Sequence, residues 1–513
     1  MISRRPESWR SCTVAGYFLL VLAFLMIFFT QIHPLVVFDC DDWKYIAFAR
    51  MPFPNLHEWN PTRIFPECFM PLTGYFAAYV LAPLIGDYLR AMTYAAAMGL
   101  SLLITGYLYL FYRLMRNGEE GHWRSICITT VFFALHFLIL KVHPYDNHDL
   151  FWAFNLTCVF YYLMPTLMNA SLVLWMMRRG RLTDAYGHLT AMQKGILWVA
   201  LYFAVFSDIM HNVVLIAFVG LSSLWDFWRG NAWRDIRAWG RSHRMELAVM
   251  MLWFICLFFE AHGGRAHDIA KPEMPWREAW GFAGQIWPAM KHSVVFVCLI
   301  AIFWAAVEVF RSDRTQQVQD LRHQMLLCFA CIPLIFLYLF VLCTKANAWY
   351  IARTDVFFCY VFYFLLLAGL SLNAMVRRHP VMMQGMPLFA VLVLLTALNN
   401  PQQSFQESTV GNIPAQTCYD MGHDIIQQMV EADRTGEKMA VIHVAVGESV
   451  VNWPFSKVME EDLPQTLFRH GLLQRPLKIQ LQPDPEVNEK YHLAVPLQIV
   501  SKNPNLAPNA ENH

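Results

Sequence analysis

Charged residues are scarce in this chain. Asp, Glu, Lys and Arg make up 15% of its 513 residues, against about 25% in a typical soluble protein. Hydrophobic residues supply 57% and aromatic residues 15%, and apolar runs of about 20 residues recur along the chain. Those two features exclude an ordinary soluble globule and imply a polytopic α-helical membrane protein. A basic excess is missing as well. The net charge of +1 gives a nucleic-acid partner no electrostatic support. Internal repeats are also missing, which argues against a transporter built from two related halves. A cleavable leader is not expected either. Arg4, Arg5 and Arg10 precede the run Thr13 to Ile32, which has no charged residue, exceeds a signal-peptide core, and is followed by no small-residue cleavage site before His33. The expectation is a retained first span with its basic end in the cytoplasm.

Counting outward from that orientation gives about eleven spans. They are Thr13 to Ile32, Ala91 to Tyr112, Trp123 to Leu140, Phe151 to Met177, Met192 to Phe206 and Val213 to Trp228. Leu247 to Phe259, Ser293 to Phe310, Met325 to Cys343, Val356 to Asn373 and Val381 to Leu398 complete the set. In this register the Arg clusters Arg113/Arg116, Arg178/Arg179/Arg181, Arg229 to Arg244, Arg311/Arg314/Arg322 and Arg377/Arg378 all fall on one side. The stretch Phe69 to Ile85, interrupted by Pro71, Gly74 and Pro83, is read as helices along the surface, because a crossing there would put the next Arg pair on the wrong side. Residues 1–398 thus form a transmembrane domain, with 33–88 as its first outer loop. Residues 399–502 read as a small α/β domain on the non-cytoplasmic side. Its helix is Asp420 to Ala432 and its strands are Met439 to Val446 and Leu493 to Val500. The tail, 503–513, is Asn/Pro/Ala-rich and reads as disordered.

Polar groups collect where the spans surface on the outer side. Asp39, Asp41 and Asp42 follow the first span, and Arg63 and Glu67 share their loop. His143, Asp146, His148 and Asp149 form the second outer turn, and Asp208 and His211 the third. Lys345 and Arg353 belong to a later outer loop. Ionisable groups at membrane depth are costly, so their convergence on one face points to a site. Each also has a plainer reading. Asp208 and His211 can pair across a tight turn, His143 and His148 can be solvated rim residues, and Arg63, Lys345 and Arg353 can be interface anchors. The five-residue spacing of His143 and His148, with no third His or Cys, is a weak metal signal. The segment Phe151 to Met177, broken at Pro165, is either a kinked helix or the lining of a cavity. Cys40 and Cys68 share the first outer loop, where a disulfide would tie the acidic cluster to its far end.

Crowded carboxylates raise one another's pKa, so the Asp cluster is a candidate general base. Acid, base and cation on the outer face of a helical bundle suit a lipid-phosphate sugar donor. Its polyprenyl tail needs an apolar groove, its phosphate a cation, and the acceptor hydroxyl a carboxylate base. The run Asp41-Asp42-Trp43-Lys44-Tyr45, followed by the Arg63 to Leu72 stretch with Pro66-Glu67-Cys68-Phe69-Met70-Pro71-Leu72, resembles bacterial members of the GT-C superfamily of membrane glycosyltransferases. Those members include the glucosyltransferases that decorate O-antigen. The overall layout is similar too: an early acidic pair, about eleven spans and a C-terminal extracytoplasmic domain.

The resemblance implies a multi-pass protein of the bacterial inner membrane. It would move a sugar, such as glucose, from undecaprenyl phosphate to a periplasmic envelope glycan such as lipopolysaccharide O-antigen, with inversion. Asp41 or Asp42 would be the base, with Asp39 and Glu67 in support. Donor-phosphate roles for Arg63, Lys345 and Arg353 rest on position, and His143, Asp146, His148, Asp149, Asp208 and His211 would form the acceptor rim. The expected partners are the polyprenyl-phosphate-linked sugar, a glycan or lipid-linked glycan acceptor, and membrane lipids. No metal and no cofactor are expected. An O-antigen polymerase or ligase, whose outer loops are Arg-rich, and a lipid-linked sugar flippase are the competing readings.

Overall fold

Backbone groups cannot stay unpaired in hydrocarbon, so long apolar runs fold as helices. The computed structural model describes residues 7–52, 60–116, 121–141, 149–262, 275–312, 315–398, 413–447, 452 and 454–497. Three elements lead in. These are α1 (Glu7–Ile27, continued by a π turn over Phe28–Ile32), α2 (Cys40–Tyr45) and α3 (Ile64–Ile85). Next come α4 (Tyr88–Met115), α5 (His122–Leu138), α6 (Leu156–Arg179), α7 (Ala191–Val205) and α8 (Val213–Arg229). The bundle is completed by α9 (Ile236–Ser242), α10 (Arg244–His262), α11 (Trp276–Ala289), α12 (His292–Arg311), α13 (Gln316–Ala346), α14 (Thr354–Arg378) and α15 (Pro380–Leu398). Among the described residues, nine helices are long and apolar enough to cross a membrane: α1, α3, α4, α6, α10, α12, α13, α14 and α15. Three expected spans, α5, α7 and α8, fall short at 17, 15 and 17 residues.

The stretch expected as broken surface pieces is one continuous helix, α3. Pro83 does not break it, because the π turn Ala77–Leu81 just upstream opens the backbone where the proline lacks its N–H. The same device recurs in α6, where the π turn Val159–Leu163 precedes Pro165. Both ends of α3 stay at one end of the bundle. Arg63, just before it, meets Glu260 at the end of α10, while Tyr75 donates to the Ala47 carbonyl (3.0 Å) and Tyr79 to that of Arg469 (2.6 Å). Gly86, at φ +78, then turns the chain into α4. α3 crosses α2's exit strand so closely that a β-carbon on Gly74 would lie 2.1 Å from the Ile46 carbonyl oxygen.

Beyond residue 412 the chain forms α16 (Ala415–Thr435), β1 (Met439–Val444), α17 (Met459–Arg469) and β2 (Lys478–Pro483). The strands pair in parallel, Met439 with Lys478 through Val444 with Pro483, and α17 supplies the crossover that parallel pairing requires. The expected helix lies inside α16 and the first expected strand is β1. The second is not. β2 comes from Lys478-Ile479-Gln480-Leu481, whose strict alternation buries Ile479 and Leu481, whereas the Leu493 to Val500 stretch contributes one bridge, Leu497 to Gly447, and then passes outside the described residues.

This region sits on α2 and on the adjoining ends of α3 and α4. The Thr466 hydroxyl donates to the Trp43 carbonyl, Arg469 donates to that of Ala47 (3.2 Å) and covers the Phe48 ring (4.0 Å), and Tyr419 bonds Thr93 (2.8 Å). The opposite end of the bundle is rich in arginine, with Arg113, Arg178, Arg179, Arg229, Arg311, Arg377 and Arg378 in the last turns of α4, α6, α8, α12 and α14.

Gly74→Ala should lower the thermal unfolding midpoint in detergent, through overpacking worth about 1–3 kcal/mol. Gly106→Ala, where a β-carbon meets nothing within 4 Å, should leave it unchanged. Equal midpoints for the two variants would refute the close approach of α2 and α3.

Candidate functional site

The acidic cluster is organised by hydrogen bonds that its own sequence spacing makes possible. Asp39 caps α2, accepting from the Asp41 N–H (3.1 Å), and Asp42 reaches back to accept from the Asp39 and Phe38 N–H groups (3.2 Å each). Asp39 and Asp42 thereby form a reciprocal capping box. The second oxygen of Asp42 accepts from both the backbone N–H and the hydroxyl of Thr157 (2.7 Å each). Asp42 is completely buried, and all four of its neighbours donate. Its job is to lock α2 onto the start of α6.

Burial pushes both the Asp39 and the Asp42 carboxyl above the usual range, and their mutual repulsion adds to the rise at Asp39. The four donors pull Asp42 back toward its charged form, so Asp39 is the member that holds a proton to higher pH. Asp41 differs from both. It is half-buried on the open side of α2, where its charge acts on Tyr45 and on Asp462 of α17. Tyr45 stacks near Tyr161 of α6 (5.0 Å between rings), and Lys44 pairs with Asp462 (3.8 Å). The pair that the sequence leaves undivided is divided by burial: Asp42 is enclosed and Asp41 faces outward.

Around this core the structure gathers several of the expected residues. Arg63 occupies left-handed backbone (φ 60), a conformation that costs a bulky residue about 1–2 kcal/mol. Its guanidinium meets Glu260 at 3.2 Å. Burial alone would lower its pKa, and the carboxylates of Glu260 and Asp208 more than offset that. Asp208 accepts from the Met210 N–H and the His211 ring (2.8 Å each), and His211 lies against the Tyr162 ring (5.2 Å) and the Asp355 carbonyl (3.3 Å). The pairing across a tight turn is what the structure shows, and the pair is buried. Burial raises the Asp208 carboxyl, but hydrogen bonding to His211 and the nearby positive charges hold it below the usual value.

Arg353 is enclosed rather than open. It forms a two-pronged pair with Asp355 (3.0 and 2.6 Å), donates to the Cys158 sulfur at 3.2 Å, and is surrounded by the rings of Phe154, Tyr162, Trp349 and Tyr350. A guanidinium so engaged braces the start of α14 against α6 instead of presenting itself to an anion. Lys345 is exposed at the last turn of α13. Glu67 pairs with Arg50, which also donates to the Asn60 carbonyl (2.8 Å), so it staples the loop before α3. Asp149 is buried and folds its own arm, accepting from the Phe151 N–H at 2.7 Å; burial pushes it up to about 7. His143, Asp146 and His148 lie outside the described residues. Cys40 and Cys68 do not form the disulfide: the Cys68 thiol donates to the Arg50 carbonyl (3.1 Å) and Cys40 is a buried free thiol. Among the described residues no three His, Cys, Asp or Glu side chains group as metal ligands.

Sequence reasoning passed over Thr157, Glu260 and Asp355, and took Asn155 only as a polar residue of the broken span Phe151 to Met177. Asn155 caps α6 through the Cys158 N–H (2.8 Å), and an Asn two residues before a Thr at a span's start is a legible cap. Glu260 and Asp355, carboxylates at the ends of apolar helices, carried the same membrane-depth signal as Asp208. No protein-family model matches the chain, and neither a curated protein nor a solved structure matches it.

Asp42→Ala should lose about 3 kcal/mol of stability, because buried donors of Phe38, Asp39 and Thr157 are left unpaired. Asp41→Asn should unfold like the wild type in the same detergent melt, and a matching loss in both variants would contradict the division of roles. Asp39 binds its proton more tightly folded than unfolded, so the folded state is favoured below the unfolded pKa and loses stability as pH rises toward the folded one. Asp39→Asn keeps the cap without the titration. Its melting temperature should therefore fall less than that of the wild type between pH 5 and pH 8.

Proposed function

We propose that this chain is a GT-C-type glycosyltransferase of the bacterial inner membrane. It moves a hexose, such as glucose, from undecaprenyl phosphate to a periplasmic envelope glycan such as lipopolysaccharide O-antigen. The observation that carries the reading is the half-buried Asp41, held on a rigid buried platform between α6 and the C-terminal α/β region. In this reading the Asp41 carboxylate takes the proton of the acceptor hydroxyl as that oxygen attacks the anomeric carbon. The bond from that carbon to the phosphate oxygen breaks, its electron pair leaves with the phosphate, and the configuration inverts. A cation lowers the cost of the departing charge, and Lys345, exposed where α13 ends, and Arg63 are the side chains for it. Positioning plus this stabilisation suffices for an activated donor. Asp42, Thr157 and Asp39 orient α2 and do not touch the reacting atoms.

Topology supports the same picture. Setting α3 aside, because both its ends stay on one side, and counting the shorter α5, α7 and α8 makes about eleven crossings. In this reading the arginine-rich far end lies in the cytoplasm with the N-terminus, as the positive-inside tendency favours, and the acidic end lies in the periplasm with the C-terminal region.

Mass spectrometry of envelope glycans tests the assignment. Cells lacking the gene should lack a single hexose, restored by the wild type and not by Asp41→Asn, with transfer reduced at least a hundredfold. Glycan chains that are shortened instead of undecorated would point to a polymerase, and full activity of Asp41→Asn would remove Asp41 as the base.

A further inference from the structure

A cavity of about 1210 Å³ lies at the Arg-rich end, away from the acidic cluster. It is bounded by the last turns of α6 and α8, the short helix α9, the start of α10 and the first turns of α13. It exceeds the roughly 300–1,000 Å³ of ordinary small-molecule sites. Its wall has a particular chemistry.

Arg178, Arg179, Arg229 and Arg234 line it, and among the described residues none of the four has a carboxylate partner. The carboxylates on the same wall are already engaged. Glu246 accepts from the Thr183 N–H (3.1 Å) and hydroxyl (2.6 Å), and Asp226 lies 3.2 Å from the His243 ring nitrogen. Asp235 caps α9 through the Ala238 N–H (2.9 Å), and Asp320 accepts from the Gln316 amide (2.7 Å). The N–H donors of the four arginines are therefore what the wall has to spare.

A second, independent observation points the same way. The Ser223 hydroxyl, on a residue 4% exposed, the Trp239 indole N–H and the His323 Nε2 are buried atoms on this wall without a hydrogen-bond partner. Buried polar groups in native proteins are ordinarily satisfied, so a cluster of unsatisfied ones at a cavity marks where a ligand's acceptors belong. Guanidiniums without a carboxylate partner, one of them (Arg229) also over the Trp225 ring, beside neutral donors complement a phosphoryl group, an anion that only accepts and offers several oxygens. Trp228, Trp233 and Ile236, exposed by 63%, 52% and 62%, flank the cavity on α8, α9 and the link between them, as aromatic side chains do at a membrane interface.

We propose that this cavity is a binding site for a phosphate-bearing ligand, supplied either by the phosphomonoester headgroup of a lipid or by a soluble organic phosphate. The phosphate sits among Arg178, Arg179, Arg229 and Arg234 and accepts from Ser223 and Trp239, and the remaining volume takes the organic part. The site is at the far end of the bundle from Asp41, so its failure leaves the transfer reaction untouched and the converse also holds.

Two probes test it on the full chain in detergent. Native mass spectrometry measures retention of dioleoyl phosphatidic acid against dioleoyl phosphatidylcholine, and calorimetry measures binding of inorganic pyrophosphate. Preferential retention of phosphatidic acid assigns the ligand to a lipid. Pyrophosphate binding without that preference assigns it to a soluble phosphate. Whichever probe binds should weaken at least tenfold in Arg178→Gln/Arg229→Gln and severalfold in the charge-neutral Ser223→Ala, at unchanged melting temperature. It should persist in Arg237→Gln/Arg241→Gln, which removes two exposed arginines of α9 that do not line the cavity. Binding of neither probe, equal binding by the wild type and Arg178→Gln/Arg229→Gln, or an equal loss in Arg237→Gln/Arg241→Gln would overturn the site.

Discussion

The arrangement of the acidic end depends on one carboxylate. Asp42 has no contact with solvent and accepts four hydrogen bonds, two from its own turn and two from Thr157. Charge-assisted bonds of this kind are each worth roughly twice a neutral one, and a buried carboxylate without them would be untenable. The bonds reach across 115 residues of sequence, so they set the position of α2 relative to the broken helix α6. Asp41 inherits its outward direction from that lock. The neighbouring Asp39 pays a cost in the form of a proton, since two carboxylates in one buried turn do not both ionise readily.

The same rule governs the other charges near this end of the bundle. Arg353 has Asp355, Arg63 has Glu260 and Asp208 has His211. Arg63–Glu260 joins distant segments, whereas Arg353–Asp355 and Asp208–His211 are local pairs, and each is tolerated at depth because its partner is within hydrogen-bond or ion-pair distance. Together with Tyr162, which lies between Arg353 and His211, they connect the starts of α6 and α14 with the turn before α8. The result is a stiff polar layer under the C-terminal region. At the opposite end the balance differs: arginines line an open cavity whose acids are already engaged, and the charge there is available to a ligand.

Much of the architecture was legible because hydropathy is a local property. The apolar runs became helices, their basic ends gathered at one end of the bundle, and among the described residues Asp39, Asp42, Arg63, Asp208 and Arg353 lie at the other. Errors arose where a local signal was overridden or ignored. Pro71, Gly74 and Pro83 read as breaks, yet α3 runs through all three, with a π turn just ahead of Pro83. The alternating run at Lys478 carried the strand signal that the apolar stretch Leu493 to Val500 only imitated. Arg353 read as a phosphate ligand from its place in an outer loop; Trp349 and Tyr350 are its neighbours in sequence, but the other two rings that enclose it come from α6 and the arm before it.

By itself the sequence determined that this is a helical membrane protein, which end of the bundle is basic, and that three aspartates lie where the first span surfaces. Those facts follow from composition and order along the chain. Only the tertiary structure decided which aspartate is enclosed and which is open, that Asp208 and His211 satisfy each other, and that four arginines without a carboxylate partner among the described residues line one open cavity. Burial and hydrogen-bond partnership are relations between distant residues, and Thr157, Glu260 and Asp355 acquire their meaning only once the helices are packed.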